Sequence, residues 1–479
     1  MQHKSVIILG GGMSGIKTAI DLYAGGVKDT MILEARSRLG GRVLTMESES
    51  FAGARYDIGA SWFHDGLRNP LFDKALASGD IEYYYDDGKY RFLSQSDAVV
   101  ETWKFEAVVS EFQTYSALQY LENPHKPDVS IKEACMEYLD KFKDKLNDHQ
   151  REYCPGVIRM WAELWLGESW DKLSAKYANT ERHLGRNILV KSGYTKVLNN
   201  ELKELPQSYR DTQIKLDSQV VKIDYSGKHI VVYVKDGSRY SCDYLVVTIP
   251  QSILKISDKH DAGCIQWEPE LPQPIQKSIE DVNFGSLGKF IMEFDECFWP
   301  HDVDRFYALT NKDAQNPTQR VQAWDFPSLL VNYQSVRGVP ALVALTQKPL
   351  SKYIEEQFAA GKQMQVWHDI YKPLMAQIAG ISAETDIPEP KNVYCSHWNE
   401  EFFSRGAYGV SFVGTADPLN TIRAFAKGCH GGKIRFAGAE TMDNTSSGCV
   451  HGAWFSGQRE ARAILDQISA QNIQGKGKL

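Results

Sequence analysis

An apolar run, Val6-Ile7-Ile8-Leu9, leads straight into Gly10-Gly11-Gly12-Met13-Ser14-Gly15. The run has the length of a strand, and the glycines fit G-x-G-x-x-G at Gly10, Gly12 and Gly15. Ile16 to Tyr23 then reads as a helix stopped by Gly25-Gly26. A second apolar run, Met31-Ile32-Leu33, ends on Glu34. Strand, glycine turn, helix, strand and acid stand in the order of a dinucleotide-binding βαβ unit, with the acid about 20 residues beyond the glycines. Each part has a physical task. Gly10 permits the tight turn, Gly12 lets backbone approach a pyrophosphate, and Gly15 lets helix and strand pack closely. The helix start around Ser14 offers N–H groups and the positive end of a dipole to phosphates. Glu34 can accept hydrogen bonds from ribose hydroxyls, and its charge repels a 2′-phosphate.

A chain of 479 residues exceeds what one hydrophobic core organises, so two interleaved domains are expected. There is no run of roughly 18 apolar residues, and no membrane span or membrane partner is expected. The net charge of −7 argues against nucleic acid and mildly favours a cationic small substrate. The eight cysteines include no C-x-x-C pair, and no metal-ligand cluster stands out. Reduced core thiols, and the start of the βαβ unit near residue 4 with no room for a leader, point to a cytoplasmic protein. The terminal Gly477-Lys478-Leu479 is a weak peroxisomal signal, because it lacks the Ser.

Directly after Glu34 the chain reads Ala35-Arg36-Ser37-Arg38-Leu39-Gly40-Gly41-Arg42. Arginines can pair with pyrophosphate oxygens, and Gly40-Gly41 lets backbone lie against a flat ring system. The pattern from Leu33 to Arg42, so soon after the glycine turn, resembles the FAD-dependent amine oxidase superfamily. That superfamily includes polyamine, monoamine and L-amino-acid oxidases and histone lysine demethylases. The resemblance implies FAD, and makes Ala35, Arg36, Gly41 and Arg42 cofactor contacts. Tyr56 to His64 is similar to the Gly-Ala-Ser-Trp-x-His stretch of polyamine oxidases. It implies Gly59, Ala60, Ser61 and Trp62 beside the flavin and His64 on a substrate nitrogen. A histidine suits that position because its ordinary pKa, near ~6.5, lets it tune an amine's protonation.

The rest of the chain extends the resemblance, most closely to fungal polyamine oxidases. Tyr83 to Gly88 reads as a strand end and turn, where Asp86 or Asp87 can serve the turn or hold a distal ammonium. Residues 107–166 carry helical periodicity, broken at Asn123-Pro124 and Lys126-Pro127. Trp165 resembles a tunnel-lining tryptophan of that branch, and His183 and Asn187 match positions near its substrate. Residues 212–250 return to strands, and the position matching Val221 contacts the adenine in relatives. Phe284 to Phe294 matches the superfamily's Gly-x-x-x-Lys strand. There the lysine, here Lys289, holds a water that bonds the flavin N5. A charge at that point assists the reaction of oxygen with reduced flavin, and burial would lower the lysine's pKa. Strands are expected near 305–310, 329–334, 341–347 and 393–398, and helices over 350–380.

Near the C-terminus, Phe403 to Tyr408 resembles the family's flavin loop, with Tyr408 as one wall of an aromatic cage and Trp398 against the ring system. Ala407 occupies the position of the cysteine that monoamine oxidases bond to flavin, so non-covalent FAD is implied. Gly438 and Glu440 end a strand, and Cys449 and Val450 open a helix aimed at the flavin. Relatives carry an acid directly after Ala-Gly; here Ala439 intervenes before Glu440.

These observations predict an α/β, Rossmann-like FAD-binding domain interleaved with an α+β substrate domain of antiparallel sheet and helices. The expected FAD-binding segments are 1–75, 210–270 and 391–470, the substrate domain is 76–209 and 271–390, and 471–479 is a tail. The implied reaction is oxidation of a polyamine such as spermine, N-acetylspermine or spermidine, by hydride transfer from the carbon next to a secondary amine. Molecular oxygen is the second substrate and hydrogen peroxide a product, and a monomer or weak dimer is expected. Two alternatives stay open: a monoamine or L-amino-acid oxidase, and a ligand-binding flavoprotein like the corticosteroid-binding relative among fungi.

Overall fold

The computed structural model describes residues 1–96, 105–178, 184–310, 320–442 and 446–476. The apolar run at the start becomes the strand Gln2–Leu9, and Met31 to Leu33 becomes Thr30–Leu33. The two pair in parallel, with Val6 opposite Thr30 and Leu9 opposite Leu33. On its other side Gln2–Leu9 pairs in parallel with Arg239–Val247, Ile7 facing Leu245. Arg239–Val247 also holds Ile434–Phe436 in parallel and Ile230–Val234 antiparallel. Val220–Asp224, Gln266–Glu268 and Ile214–Lys215 complete this eight-stranded sheet. Strands covered on both faces should read as unbroken apolar runs, and Val6 to Leu9 and Leu245 to Val247 are indeed almost wholly buried.

The helix Met13–Ala24 lies across this sheet and is covered in turn by the long helix Val450–Lys476. Contact is close enough that the Thr18 hydroxyl donates to the Gly457 carbonyl at 3.3 Å. A Cβ on Gly457 would sit 2.3 Å from the Ser14 carbonyl, so only glycine fits there. Lys17 stands over the Trp454 ring at 4.0 Å. The tail expected from residue 471 is helical through Lys476, and Gly477 to Leu479 lie outside the described residues.

A second sheet has six strands in the order Asn392–Cys395, Leu287–Glu293, Ala341–Gln347, Ser328–Asn332, Arg305–Ala308, Tyr90–Leu93. All its pairs are antiparallel except the last. Asn392–Cys395, expected with the cofactor segments, is instead an edge strand here. Its partner Leu287–Glu293 is buried along nearly its whole length and leaves a long edge that must be paired. Helices Phe105–Glu122, Ile131–Lys141 and Asp148–Leu166 pack beside this sheet, the second and third each opened by a capping box.

A third, small sheet decides the site. Trp62–Phe63, Ile188–Val190 and Tyr83–Tyr85 lie side by side, with Phe63 opposite Ile188 and Ile188 opposite Tyr85. One step further along this register stand His64, Asn187 and Asp86. Three residues distant in sequence are thereby set abreast at one end of the sheet.

Candidate active site

One cavity runs from the glycine turn to the face of the six-stranded sheet. It is lined by Gly10, Gly12 and Ser14 at one end and by His64, Asp86 and Arg305 at the other. At the glycine end the backbone explains the sequence. A Cβ on Gly15 would lie 2.0 Å from the Gly10 carbonyl oxygen, so this glycine is required by packing of helix on turn. A Cβ on Gly12 would meet nothing within 4 Å, because that face opens to the cavity. Gly12 caps the helix in an extended conformation and no side chain bonds the first-turn N–H groups. Those donors are the ones a pyrophosphate needs. Glu34 is 3% exposed, and its two oxygens accept from the backbone N–H of Gly11 at 2.7 Å and of Arg36 at 2.8 Å. Each carboxylate oxygen keeps a lone pair for a ribose hydroxyl. These residues fit the adenosine diphosphate half of FAD.

Arg36 and Arg42 line the cavity, and the arginines after Glu34 also hold acids and carbonyls. Arg36 lines the cavity but forms an ion pair with Glu401 at 2.6 Å and donates to Ser404 Oγ at 3.0 Å. Arg38 donates to the carbonyls of Leu39, Gly41 and Val43, and burial lowers its pKa. Arg42 grips both oxygens of Glu440 and donates to the Ala407 carbonyl. Glu440 is thus not a lining residue. It fixes the Arg42 side chain, and through it the flavin-loop backbone at Ala407. Val221 also stands outside the lining, where Ser218, Gln219 and Val220 take its place.

The middle of the cavity is built on small residues. Gly59, Ala60, Ser61 and Trp62 line one wall, with Gly41, Ala35, Trp398, Gly438, Cys449 and Val450 around it. A Cβ on Gly59 would strike the Arg42 carbonyl oxygen at 1.8 Å and approach the Trp398 ring at 3.2 Å. Trp398 is itself pinned by an indole N–H donated to the Ile58 carbonyl at 2.9 Å. Ala407 has only a methyl side chain and cannot make a covalent flavin bond.

Lys289 projects from the Leu287–Glu293 strand onto this wall and is 5% exposed. Its ammonium donates to the carbonyls of Asp57 and Gly59, the latter at 2.6 Å, and to Ser61 Oγ. Burial pushes its pKa down to about 8, with Asp57 opposing the shift and Arg337 adding to it. A buried lysine near neutrality is poised to change charge in the working range.

At the other end of the cavity, His64 Nδ1 donates to Asn187 Oδ1 at 2.9 Å, which makes Nε2 the acceptor of the neutral ring. The Asp86 N–H donates to the Asn187 carbonyl at 3.0 Å. Trp165 and Tyr408 face the same space, and the Tyr408 hydroxyl donates to the Trp165 carbonyl at 3.0 Å. His183 lies outside the described residues. The apolar floor escapes sequence reading because separate elements contribute it: Leu287, Leu329 and Leu345 come from three side-by-side strands and Leu164 from the helix Asp148–Leu166. Arg305 is the larger omission. It lines the cavity 3.3 Å from Asp86. The signal available was its place in Arg305-Phe306-Tyr307-Ala308, where alternation puts Arg305 and Tyr307 on one face.

Residues 13–465 match the family described as flavin containing amine oxidoreductase. The corticosteroid-binding protein of Candida albicans is 34% identical over 98% of this chain and 97% of its own length. Polyamine oxidase 4 of Oryza sativa subsp. japonica is 28% identical over 98% of this chain and 90% of its own. A solved putrescine oxidase, redesigned in its cofactor binding, shares the fold with a TM-score of 0.70 at 19% identity, over 97% of this chain and 99% of that one. No described helix is long and apolar enough to cross a membrane. The chain belongs to the flavin containing amine oxidoreductases and is an FAD-dependent oxidoreductase acting on amines.

Proposed function

We propose that this protein is a polyamine oxidase, with Lys289 and His64 as its catalytic residues. The observation that carries the reading is the joining of two unlike groups in one cavity. A buried lysine stands on the Gly59–Ser61 wall, and a histidine of fixed tautomer stands at the end of the neighbouring small sheet. The chemistry that FAD supplies when bound is acceptance of a hydride from the carbon next to the amine nitrogen, with oxygen as final acceptor. The chain's own residues do the rest. His64 Nε2 accepts an N–H of the amine and so orients it and holds its lone pair available. Trp165 and Tyr408 give it aromatic faces. Lys289 places a titratable positive charge beside the wall where negative charge develops. The apolar floor excludes water from the nitrogen. The imine that forms is hydrolysed to an aldehyde and a shorter amine.

A second reading, a ligand-binding flavoprotein with little turnover, is favoured by the 34% identity to the Candida corticosteroid-binding protein. Anaerobic mixing of the purified flavoprotein with spermine, N-acetylspermine, spermidine, a monoamine and a steroid separates the two. Bleaching of the visible flavin band by a polyamine, and peroxide once air is admitted, is the expected result. A spectral shift with the steroid and no bleaching by any amine would refute the assignment.

A further inference from the structure

At the far end of the cavity Asp86 meets a partner that changes what it can bind. Arg305 Nη1 lies 3.3 Å from Asp86 Oδ1, and both side chains are largely buried. Arg305 Nη2 also donates to the Asp86 carbonyl at 3.0 Å, and Nη1 to the Tyr307 hydroxyl at 3.3 Å. Burial raises the Asp86 pKa, and Arg305 acts against that shift, so the two groups are electrostatically one unit. The neighbouring acid, Asp304, stands just before the Arg305–Ala308 strand, and its charge acts on both Asp86 and Arg305 from behind the wall. It accepts from Tyr84 and Ser335 and does not line the cavity.

Among the described lining residues the acids are Glu34 and Asp86, and the bases besides histidine are Arg36, Arg42, Lys289 and Arg305. Glu34 belongs to the glycine-turn end, so the far end is lined by one described carboxylate, already matched by a guanidinium. A terminal ammonium placed there would meet Asp86 and Arg305 together, and repulsion from the second cancels attraction to the first. A secondary amide fits better. Its N–H can donate to the Asp86 carboxylate, and its carbonyl can accept from the guanidinium, whose five donors exceed the three acceptors it meets here.

The sheet register sets the reach. Lys289 faces Leu345, Leu345 faces Leu329, and Leu329 faces Tyr307, two residues from Arg305 on the same face. Three strand spacings separate the ends of that row, about 14 Å. We propose that the Asp86–Arg305 pair is a distal specificity site that selects a long amine ending in an acyl amide over one ending in a second ammonium. This rests on the amine-oxidising reading of the Lys289 end, and Arg305 is the specificity-determining residue.

The test uses the FAD-loaded protein and two readouts. Calorimetric titration with a dodecane diamine and with its mono-N-acetyl derivative measures binding alone. Anaerobic flavin bleaching by spermine and N-acetylspermine reports that amines are oxidised. The acetyl derivative should bind more tightly by about tenfold or more. Arg305→Gln should reverse that ratio, because Asp86 then stands unmatched. Asp86→Asn should instead make an amine ending in a carboxylate the tightest ligand. If Arg305→Gln does not accumulate with bound flavin, Asp86→Asn decides alone. Tighter binding of the free diamine by the unaltered protein, or a ratio that neither substitution moves, overturns the proposal while leaving amine oxidation intact. Failure of every amine to bleach the flavin overturns both.

Discussion

Lys289 carries a charge where burial disfavours one, and replacing it by methionine has a calculable signature. The side chain would titrate near 10.5 in the unfolded chain and titrates at about 8 in the native protein. That gap, about 2.5 pH units at 1.36 kcal/mol each, amounts to about 3 kcal/mol. Because the folded pKa is the lower one, the unfolded chain binds the extra proton between the two values. The stability contributed by Lys289 therefore rises with pH across the window from about 8 to 10.5, and the full penalty is present below it. Methionine binds no proton at all. The unfolding free energy of the native protein minus that of Lys289→Met, measured by urea denaturation of both FAD-loaded proteins, should climb by about 3 kcal/mol from pH 7 to pH 10.5. Titrations of groups distant from Lys289 cancel in the difference. The same charge is assigned to flavin reoxidation, so reoxidation by air should slow as pH rises through about 8 and be slow throughout in Lys289→Met. A stability difference flat with pH would refute the buried-charge argument, and identical reoxidation rates would refute the catalytic one.

The glycine turn and the aromatic wall give two further expectations. Gly15→Ala forces a methyl against the Gly10 carbonyl at 2.0 Å and should cost at least ~1–3 kcal/mol, seen as a lowered melting temperature. Gly12→Ala should leave folding near normal but lower the ratio of flavin to protein absorbance, and full flavin content in that variant would remove Gly12 from the phosphate site. Trp165 is 43% exposed, so Trp165→Ala should change stability by no more than about 0.5 kcal/mol. Its loss should nevertheless weaken amine binding several-fold, and unchanged affinity would show that the indole is only surface.

What could be read from the sequence depended on distance along the chain. The glycine turn and Glu34 were legible because their chemistry is packed into some thirty consecutive residues with fixed spacing. Lys289 was legible through the residues around it, yet spacing alone would have left it an exposed strand-end lysine rather than one 5% exposed. The pairing of His64 with Asn187 spans 123 residues and exists because two short strands share a register. The pairing of Asp86 with Arg305 spans 219 residues and crosses from the small sheet to the large one. No local pattern encodes such a meeting, and Asp86 alone therefore reads as a ready anchor for a cation. The acids that meet the arginines after Glu34 are hidden for a related reason. Glu401 and Glu440, which claim Arg36 and Arg42, arrive more than 350 residues later.

The helix Val450–Lys476 covers Met13–Ala24, which the ribosome makes long before it, through contacts as close as Gly457 against Ser14. Synthesis runs from the N-terminus at about 5–20 residues per second. The glycine turn therefore emerges well before its outer layer, the helix Val450–Lys476. Ile434–Phe436, a neighbour of Arg239–Val247 in the same sheet, is equally late. Flavin capture thus waits for residues 450–476, and a ribosome stalled before residue 450 would hold a chain able to form the glycine turn but not to retain the cofactor.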